Sequence, residues 1–227
     1  MSARGLFVTG TDTGVGKTRV AVALIEAARA LGLRVAAMKP VSAGSLPGEL
    51  NEDVVALLQA ANVDADVRDV NPYAFAEPVA PHIAAALAGV RIELDVITAA
   101  YARLAAKADV VVVEGAGGWR VPLSEHEDMA DLAQRLNLPV VLVVGLRLGC
   151  LNHAALTAES VVRRGLPWAG WAGNHIESTM QQTAENVAAL RRLLPGPCLG
   201  IQEFIEGDIS TQKSSRWLSL PQCISRS

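Results

Sequence analysis

The segment Thr9-Gly10-Thr11-Asp12-Thr13-Gly14-Val15-Gly16-Lys17-Thr18 combines glycines, a lysine and hydroxyls at a spacing that suits phosphate chemistry. Gly14 and Gly16, flanking Val15, would let successive backbone N–H groups turn inward around phosphate oxygens, and a helix opening at Lys17 would add the positive end of its dipole. Lys17 would reach the terminal phosphates, Thr18 would place a hydroxyl where magnesium binds, and Arg19 completes the nucleotide-binding set in the same turn. The strict G-x-x-x-x-G-K-[ST] spacing is missed by one place, because Thr11 stands where the first glycine belongs and Gly10 precedes it. A plain glycine turn before a helix would explain the glycines. It would not explain the ordered series of strand, loop, Lys-Thr and amphipathic helix, so the segment reads as a nucleotide-binding P-loop.

Further polar residues stand where strands should end. Met38-Lys39-Pro40 leaves Lys39 at a strand's carboxyl end. Alone it would be a solvated surface charge, but in a parallel sheet it shares a rim with Lys17 and becomes a second cation for a charged transition state. Asp53 opens a short helix, either as a cap or first-turn acid or as a magnesium ligand. The run Ala108-Asp109-Val110-Val111-Val112-Val113-Glu114 resembles a Walker-B strand, with Glu114 at the end where a magnesium-associated acid is needed. Thr18, Asp53 and Glu114 are thus the candidate metal set, and Gly115, Ala116 and Gly117 leave room for nucleotide beside it. Asn174 is either a turn residue or a contact to the base. Asn174-His175-Ile176-Glu177 shares only its asparagine with the guanine-reading N-K-x-D pattern, which favours adenine and leaves GTP open. His82, His126, His153 and His175 form no metal-binding spacing and accompany no G-x-S-x-G elbow, so they read as structural or substrate-adjacent.

Residues scattered over this length need a scaffold that gathers strand ends, and strand and helix signals do alternate. Strands are expected over 5–9, 33–38, 109–113, 140–144 and 168–173, with a last one at 198–201. Helices are expected over 17–31, 53–61, 93–107, 128–136, 152–164 and 179–194. Val20, Leu24, Ala28 and Leu31 recur at helical spacing, and Gly32 supplies a stop. Repeated βα units predict one α/β domain over 1–227, a doubly wound, mainly parallel sheet with helices on both faces, P-loop NTPase-like, with ligands at the strands' carboxyl ends. Residues 206–227 form a polar tail with no readable role.

Composition narrows the classes. With 227 residues and 51% hydrophobic side chains, the chain can bury a full core without disulfides, and 4% aromatic content fits Ala/Val/Leu strands under helices. Twenty basic residues against 23 acidic, without blocks of one sign, argue against nucleic acid as partner. The longest apolar runs are strand length and the N-terminus carries no apolar signal segment, so a cytoplasmic protein is expected. Cys150, Cys198 and Cys223 are widely spaced and read as reduced structural thiols.

More specific strings accompany the P-loop. Val8-Thr9-Gly10-Thr11-Asp12-Thr13, Lys39-Pro40-Val41, Asn71-Pro72-Tyr73, Ala76-Glu77-Pro78, Pro81-His82, Glu114-Gly115-Ala116-Gly117-Gly118-Trp119 and Leu148-Gly149-Cys150-Leu151-Asn152-His153 resemble dethiobiotin synthetase. The resemblance runs in order over roughly the first 200 residues. It implies an ATP-dependent ligase of biotin synthesis that joins 7,8-diaminononanoate and CO2, with MgATP, to give dethiobiotin, ADP and phosphate through a carbamate and a carbamic-phosphoric anhydride. It implies Lys17 and Lys39 at the carbamate and the moving phosphoryl group, Thr18, Asp53 and Glu114 around magnesium, and Asn174 at the base. It also implies a homodimer in which Gly149, Cys150, Leu151 and Asn152 hold the substrate carboxylate in the neighbouring subunit's site, since the strand before them need not adjoin the P-loop strand.

Two departures stand out. The family's substrate-touching hydroxyl falls at Ala43, whereas here Ser42 carries it one residue early, and residues 200–205 lack the family's proline. Two other readings compete. A nucleotide-dependent switch or partitioning ATPase would carry another lysine early in the loop, where Thr11 and Asp12 stand. A related amide-forming enzyme would bring a Cys/His glutaminase arrangement.

Overall fold

The structure, a computed structural model, describes residues 4–45, 48–204 and 217–225. Along them run β1 (Arg4–Gly10), α1 (Lys17–Ala30), β2 (Val35–Met38), β3 (Val41–Ala43), α2 (Glu52–Ala60), α3 (Val67–Val70), β4 (Tyr73–Phe75), α4 (Pro81–Leu87), α5 (Leu94–Ala105), β5 (Val110–Glu114), α6 (Met129–Leu136), β6 (Val140–Leu146), α7 (Cys150–Arg163), β7 (Trp168–His175), α8 (Thr183–Leu193), β8 (Cys198–Gln202) and α9 (Gln222–Ser225). Six strands form one sheet in the order β2-β5-β1-β6-β7-β8, all parallel, as the repeated βα units predict.

Alternation along each strand divides the interior in two. Val8, Val112 and Val143 turn to one face and pack on Val20, Leu24 and Ile25 of α1. Phe7, Val111 and Val113 turn to the other, against Ile97 and Leu104 of α5 and Leu132 of α6. Both sets are buried, which is why β1 and β5 read as unbroken apolar runs. α6 starts one residue after Asp128, which caps it in a capping box with Asp131.

Local backbone chemistry explains where the boundaries differ from expectation. α7 begins two residues early, directly after Gly149, whose φ of 94° sets the turn into the helix. α8 begins late, because Gln182 takes a left-handed φ of 52° and interrupts helical geometry before Thr183. The small parallel sheet of β3 and β4 and the short helices α3 and α4 are additions to the sequence reading. None exceeds seven residues, too short to display a period.

Part of the polar tail has a structural place; the rest of it, 206–216 and 226–227, lies outside the described residues. Leu218 bridges Gly200 in antiparallel sense and Ser219 N donates to Leu199 O at 2.7 Å, so the segment covers the edge strand β8. Gly200 is required there, since a Cβ would strike the Trp217 carbonyl. Leu218 and Ile224 join the core on the α1 face, and Arg4 Nη1 donates to Ile224 O at 2.7 Å. Ile224 is 1% exposed. Ile224→Ala should therefore cost about 2–4 kcal/mol of unfolding free energy. Denaturant titration reads this directly, and a midpoint equal to wild type would show that the segment does not stay packed.

Candidate active site

The strand order β2-β5-β1 brings three distant segments to one edge of the sheet. Lys39 follows β2, Glu114 ends β5, and the glycine-rich loop follows β1. Lys39 Nζ donates to Glu114 Oε1 at 2.5 Å and to Asp53 Oδ2 at 2.8 Å. Thr18 Oγ1 lies 2.7 Å from Asp53 Oδ1 and 2.9 Å from Glu114 Oε1; its one proton serves one of them. Asp53 is not the cap of α2. Asn51 is, its Oδ1 accepting from Asp53 N at 3.0 Å, which leaves the Asp53 carboxylate free to face Lys39 and Thr18.

Burial governs the charges. Glu114 is 0% exposed, and its complete burial pushes its pKa up, with Asp53 adding and Lys39 opposing. For Lys39, burial alone would lower the pKa, but Glu114 and Asp53 outweigh it and the ammonium is held charged. Asp53 is lowered despite its burial, chiefly by Lys39. Among the described residues Lys17 has no carboxylate in direct contact. Its Nζ donates to the Asp12 carbonyl at 2.9 Å, and burial, reinforced by Lys39, lowers its pKa from 10.5 to about 8.

The loop itself is pinned from several sides. Thr11 N donates to Val143 O at 2.9 Å, Thr13 N to Asp12 Oδ1 at 2.8 Å, and Arg147 Nη2 to Asp12 Oδ2 at 2.7 Å. Asn174 Nδ2 donates to Val15 O at 2.9 Å, while its buried Oδ1 has no partner among the described residues. Gly16 is needed twice, for its φ of 86° and because a Cβ would collide with the Asn174 amide. Val15 is buried, so only its backbone faces the loop's concave side.

Two clefts open here. One, of about 380 Å³, is lined by Gly14, Gly16, Lys17, Thr18, Arg19 and Asn174, together with His175, Ile176 and Phe204. The other, of about 470 Å³, includes Ser42, Ala43, Ala116, Val121 and residues 78–81. Both are lined by Thr13, Lys39, Asp53 and Gly117, so they meet at the charged cluster. Gly115 lines neither; it packs where a Cβ would press on Phe7 and Met129. Gly149, Cys150, Leu151 and Asn152 line neither either, although β6, the strand before them, does pair with β1. Cys150 is buried under α7, and Leu148 beside it is 95% exposed.

The oxygens of Thr18, Asp53 and Glu114 suit a hard cation, and Glu114 Oε2 is a buried acceptor with no partner among the described residues. Among the described residues no group of three or more His, Cys, Asp or Glu could hold a metal. Magnesium carried by a nucleotide needs only one or two carboxylates, so this set fits it.

Residues 4–207 match the family described as an AAA domain. The ATP-dependent dethiobiotin synthetase BioD of Nitrosospira multiformis is 50% identical over 212 residues, 93% of this chain and 93% of that protein. The protein of the same name from Aromatoleum aromaticum is 51% identical over 207 residues, 90% of this chain and 92% of its own. The chain belongs to the dethiobiotin synthetase family. Solved structures similar to it include the MinC:MinD cell division protein complex of Aquifex aeolicus, with TM-score 0.55 at 15% identity over 88% of this chain and 81% of that one. A ParA family ATPase of Chlorobium tepidum gives TM-score 0.53 at 13% identity over 91% and 87%. These two share the fold with this dethiobiotin synthetase family member and nothing finer.

Asp12, Arg147, Asn71 and Phe204 had no assigned role in the sequence reading. The Arg147–Asp12 pair spans 135 positions and leaves no periodic trace. Lys17 supplies the test of this geometry. In the nucleotide-free protein an amine-selective reagent should label it with a midpoint near pH 8 rather than 10.5, read by peptide mass spectrometry. MgATP should suppress the labelling. Between those two pH values the unfolded chain holds a proton that native Lys17 lacks, so the penalty of burying this ammonium, full below about pH 8, is relieved as pH rises towards 10.5. A midpoint at 10.5 would contradict the burial of this amine.

Proposed function

We propose that this protein is an ATP-dependent dethiobiotin synthetase that closes the ureido ring from 7,8-diaminononanoate and CO2. The observation that carries the reading is the meeting of a phosphate-loop cleft and a second cleft at Lys39, Asp53 and Gly117. ATP lies in the first cleft with its phosphates under the loop N–H groups, and the diamine carbamate lies in the second. Lys17 and Lys39 then flank the transferring phosphoryl group, where little covalent work is asked of the protein and charge stabilisation dominates. Thr18, Asp53 and Glu114 would hold Mg2+, which when bound neutralises phosphate charge. Asn174 Oδ1, buried and without a partner among the described residues, suits a base that presents an amino group, such as adenine.

Gly149, Cys150, Leu151 and Asn152 start α7 outside both clefts, beside the exposed Leu148. This supports a homodimer in which they bind the substrate carboxylate in the partner's site through helix N-terminal N–H groups. Such an enzyme works in the cytoplasm; among the described residues no helix is long and apolar enough to cross a membrane.

Phosphate release should require diaminononanoate and bicarbonate together; release independent of both would favour a switch ATPase. Lys39→Gln, which keeps a donor beside the buried Glu114 that Lys39→Ala would strand, should lower turnover at least about 100-fold. Turnover within about twofold of wild type, under ~0.5 kcal/mol of barrier, rejects the role of Lys39. Mixing inactive Lys17→Ala and Asn152→Ala chains should recover about a quarter of wild-type activity, since random exchange makes half the dimers mixed, each with one intact site. A fully exchanged mixture as inactive as its parents would reject the shared site.

A further inference from the structure

We propose that Asn71 is the positioning residue of Lys39, with Ser42 orienting Asn71. The inference rests on the role of Lys39 proposed above. Asn71 terminates α3 and is 7% exposed. Its Nδ2 donates to Lys39 O at 2.6 Å and to Tyr73 O at 3.2 Å, and its Oδ1 accepts from Ser42 Oγ at 2.8 Å. The two carbonyls dictate the amide's orientation, because the reversed amide would set oxygen against oxygen twice.

The need for this side chain follows from topology. β2 is an edge strand whose pairing with β5 ends at Met38, so the Lys39 carbonyl has no strand neighbour, yet it is buried and must be paired. Asn71 supplies that donor. The adjacent turn takes the other side, Lys39 N donating to Val70 O at 2.8 Å and Tyr73 N to Pro40 O at 3.2 Å. The backbone that carries Lys39 is therefore gripped at both its N–H and its C=O. A long lysine chain can be accurate at its tip only if its root is fixed, and the tip here must stand between Asp53 and Glu114.

The same bonds account for the serine found one place early. Ser42 lines the second cleft, but its proton is committed to Asn71, so it supports Lys39 instead of donating to substrate, and Ala43 presents only a methyl group.

Asn71→Ala and Asn71→Asp, each lacking the donor to Lys39 O, test this. Turnover is measured per nucleotide-binding site, counted by titration with a non-hydrolysable MgATP analogue. Misplacing a reacting group by about 1 Å costs up to ~100-fold, so kcat per site should fall about 10–100-fold while analogue affinity stays within about twofold. Ser42→Ala should lower kcat in the same direction by about fivefold. A merely structural Asn71 would lower the melting temperature and the number of sites but leave kcat per site unchanged, and that result overturns the inference. If both Asn71 variants fail to fold, Ser42→Ala decides, and an unchanged kcat in it likewise overturns the inference. Lys39→Gln measured alongside separates the two failures. An active Lys39→Gln removes the premise, whereas an inactive Lys39→Gln with fully active Asn71 variants refutes only the role of Asn71.

Discussion

Glu114 is a carboxylate without water at the end of a buried strand, and much of the carboxyl edge is arranged around that cost. An unpaired charge in such a place is worth several kcal/mol of instability, so a cation must be near. Lys39 provides it from the next strand over, Thr18 comes up from the first turn of α1, and Asp53 closes the ring from α2. One oxygen of Glu114 has no donor among the described residues. A largely buried ring of charges in which Asp53 still reaches solvent suits a ligand that brings positive charge, and in the functional reading proposed here that charge arrives with the nucleotide.

The strand order sets the ring's geometry. A parallel sheet places every carboxyl end on one edge, but which residues meet depends on which strands are neighbours. With β5 between β2 and β1, the acid lies between the lysine of one loop and the hydroxyl and lysine of another. On the far side of β1, β6 delivers Arg147 to Asp12, and β7 delivers Asn174 to the carbonyl of Val15. The loop is thus held from both flanks before any phosphate enters, the preorganisation on which electrostatic stabilisation depends.

The second sheet, two strands of three residues each, lies at the same edge. Its strands are too short to be stable alone, yet β3 lines the second cleft and β4 pairs with it, Tyr73 N donating to Pro40 O beside the Lys39 backbone. Val41 and Phe75 tie this small sheet into the core, so it holds the Lys39 turn on the body of the fold.

Sequence by itself determined the longer elements and the chemistry of single residues. The apolar runs of β1 and β5, the Val20/Leu24/Ala28 spacing of α1, the Gly14-Val15-Gly16-Lys17 loop and the lysine before Pro40 are local signals, each set by backbone geometry or periodicity within a few residues. Tertiary structure decided the pairings. Lys39 with Glu114 spans 75 positions, Thr18 with Glu114 96, and Asn174 with Val15 159. No periodicity reaches across such separations; only the order of strands in the sheet does. For the same reason the bonds of Asn71, the Arg147–Asp12 pair and the packing of Gly115 on Phe7 and Met129 left no trace in the sequence, and only the fold shows that Asn51, not Asp53, caps α2. Whether a charge is solvated or buried is a property of what surrounds it, and in this chain the surroundings come almost entirely from residues far away in sequence.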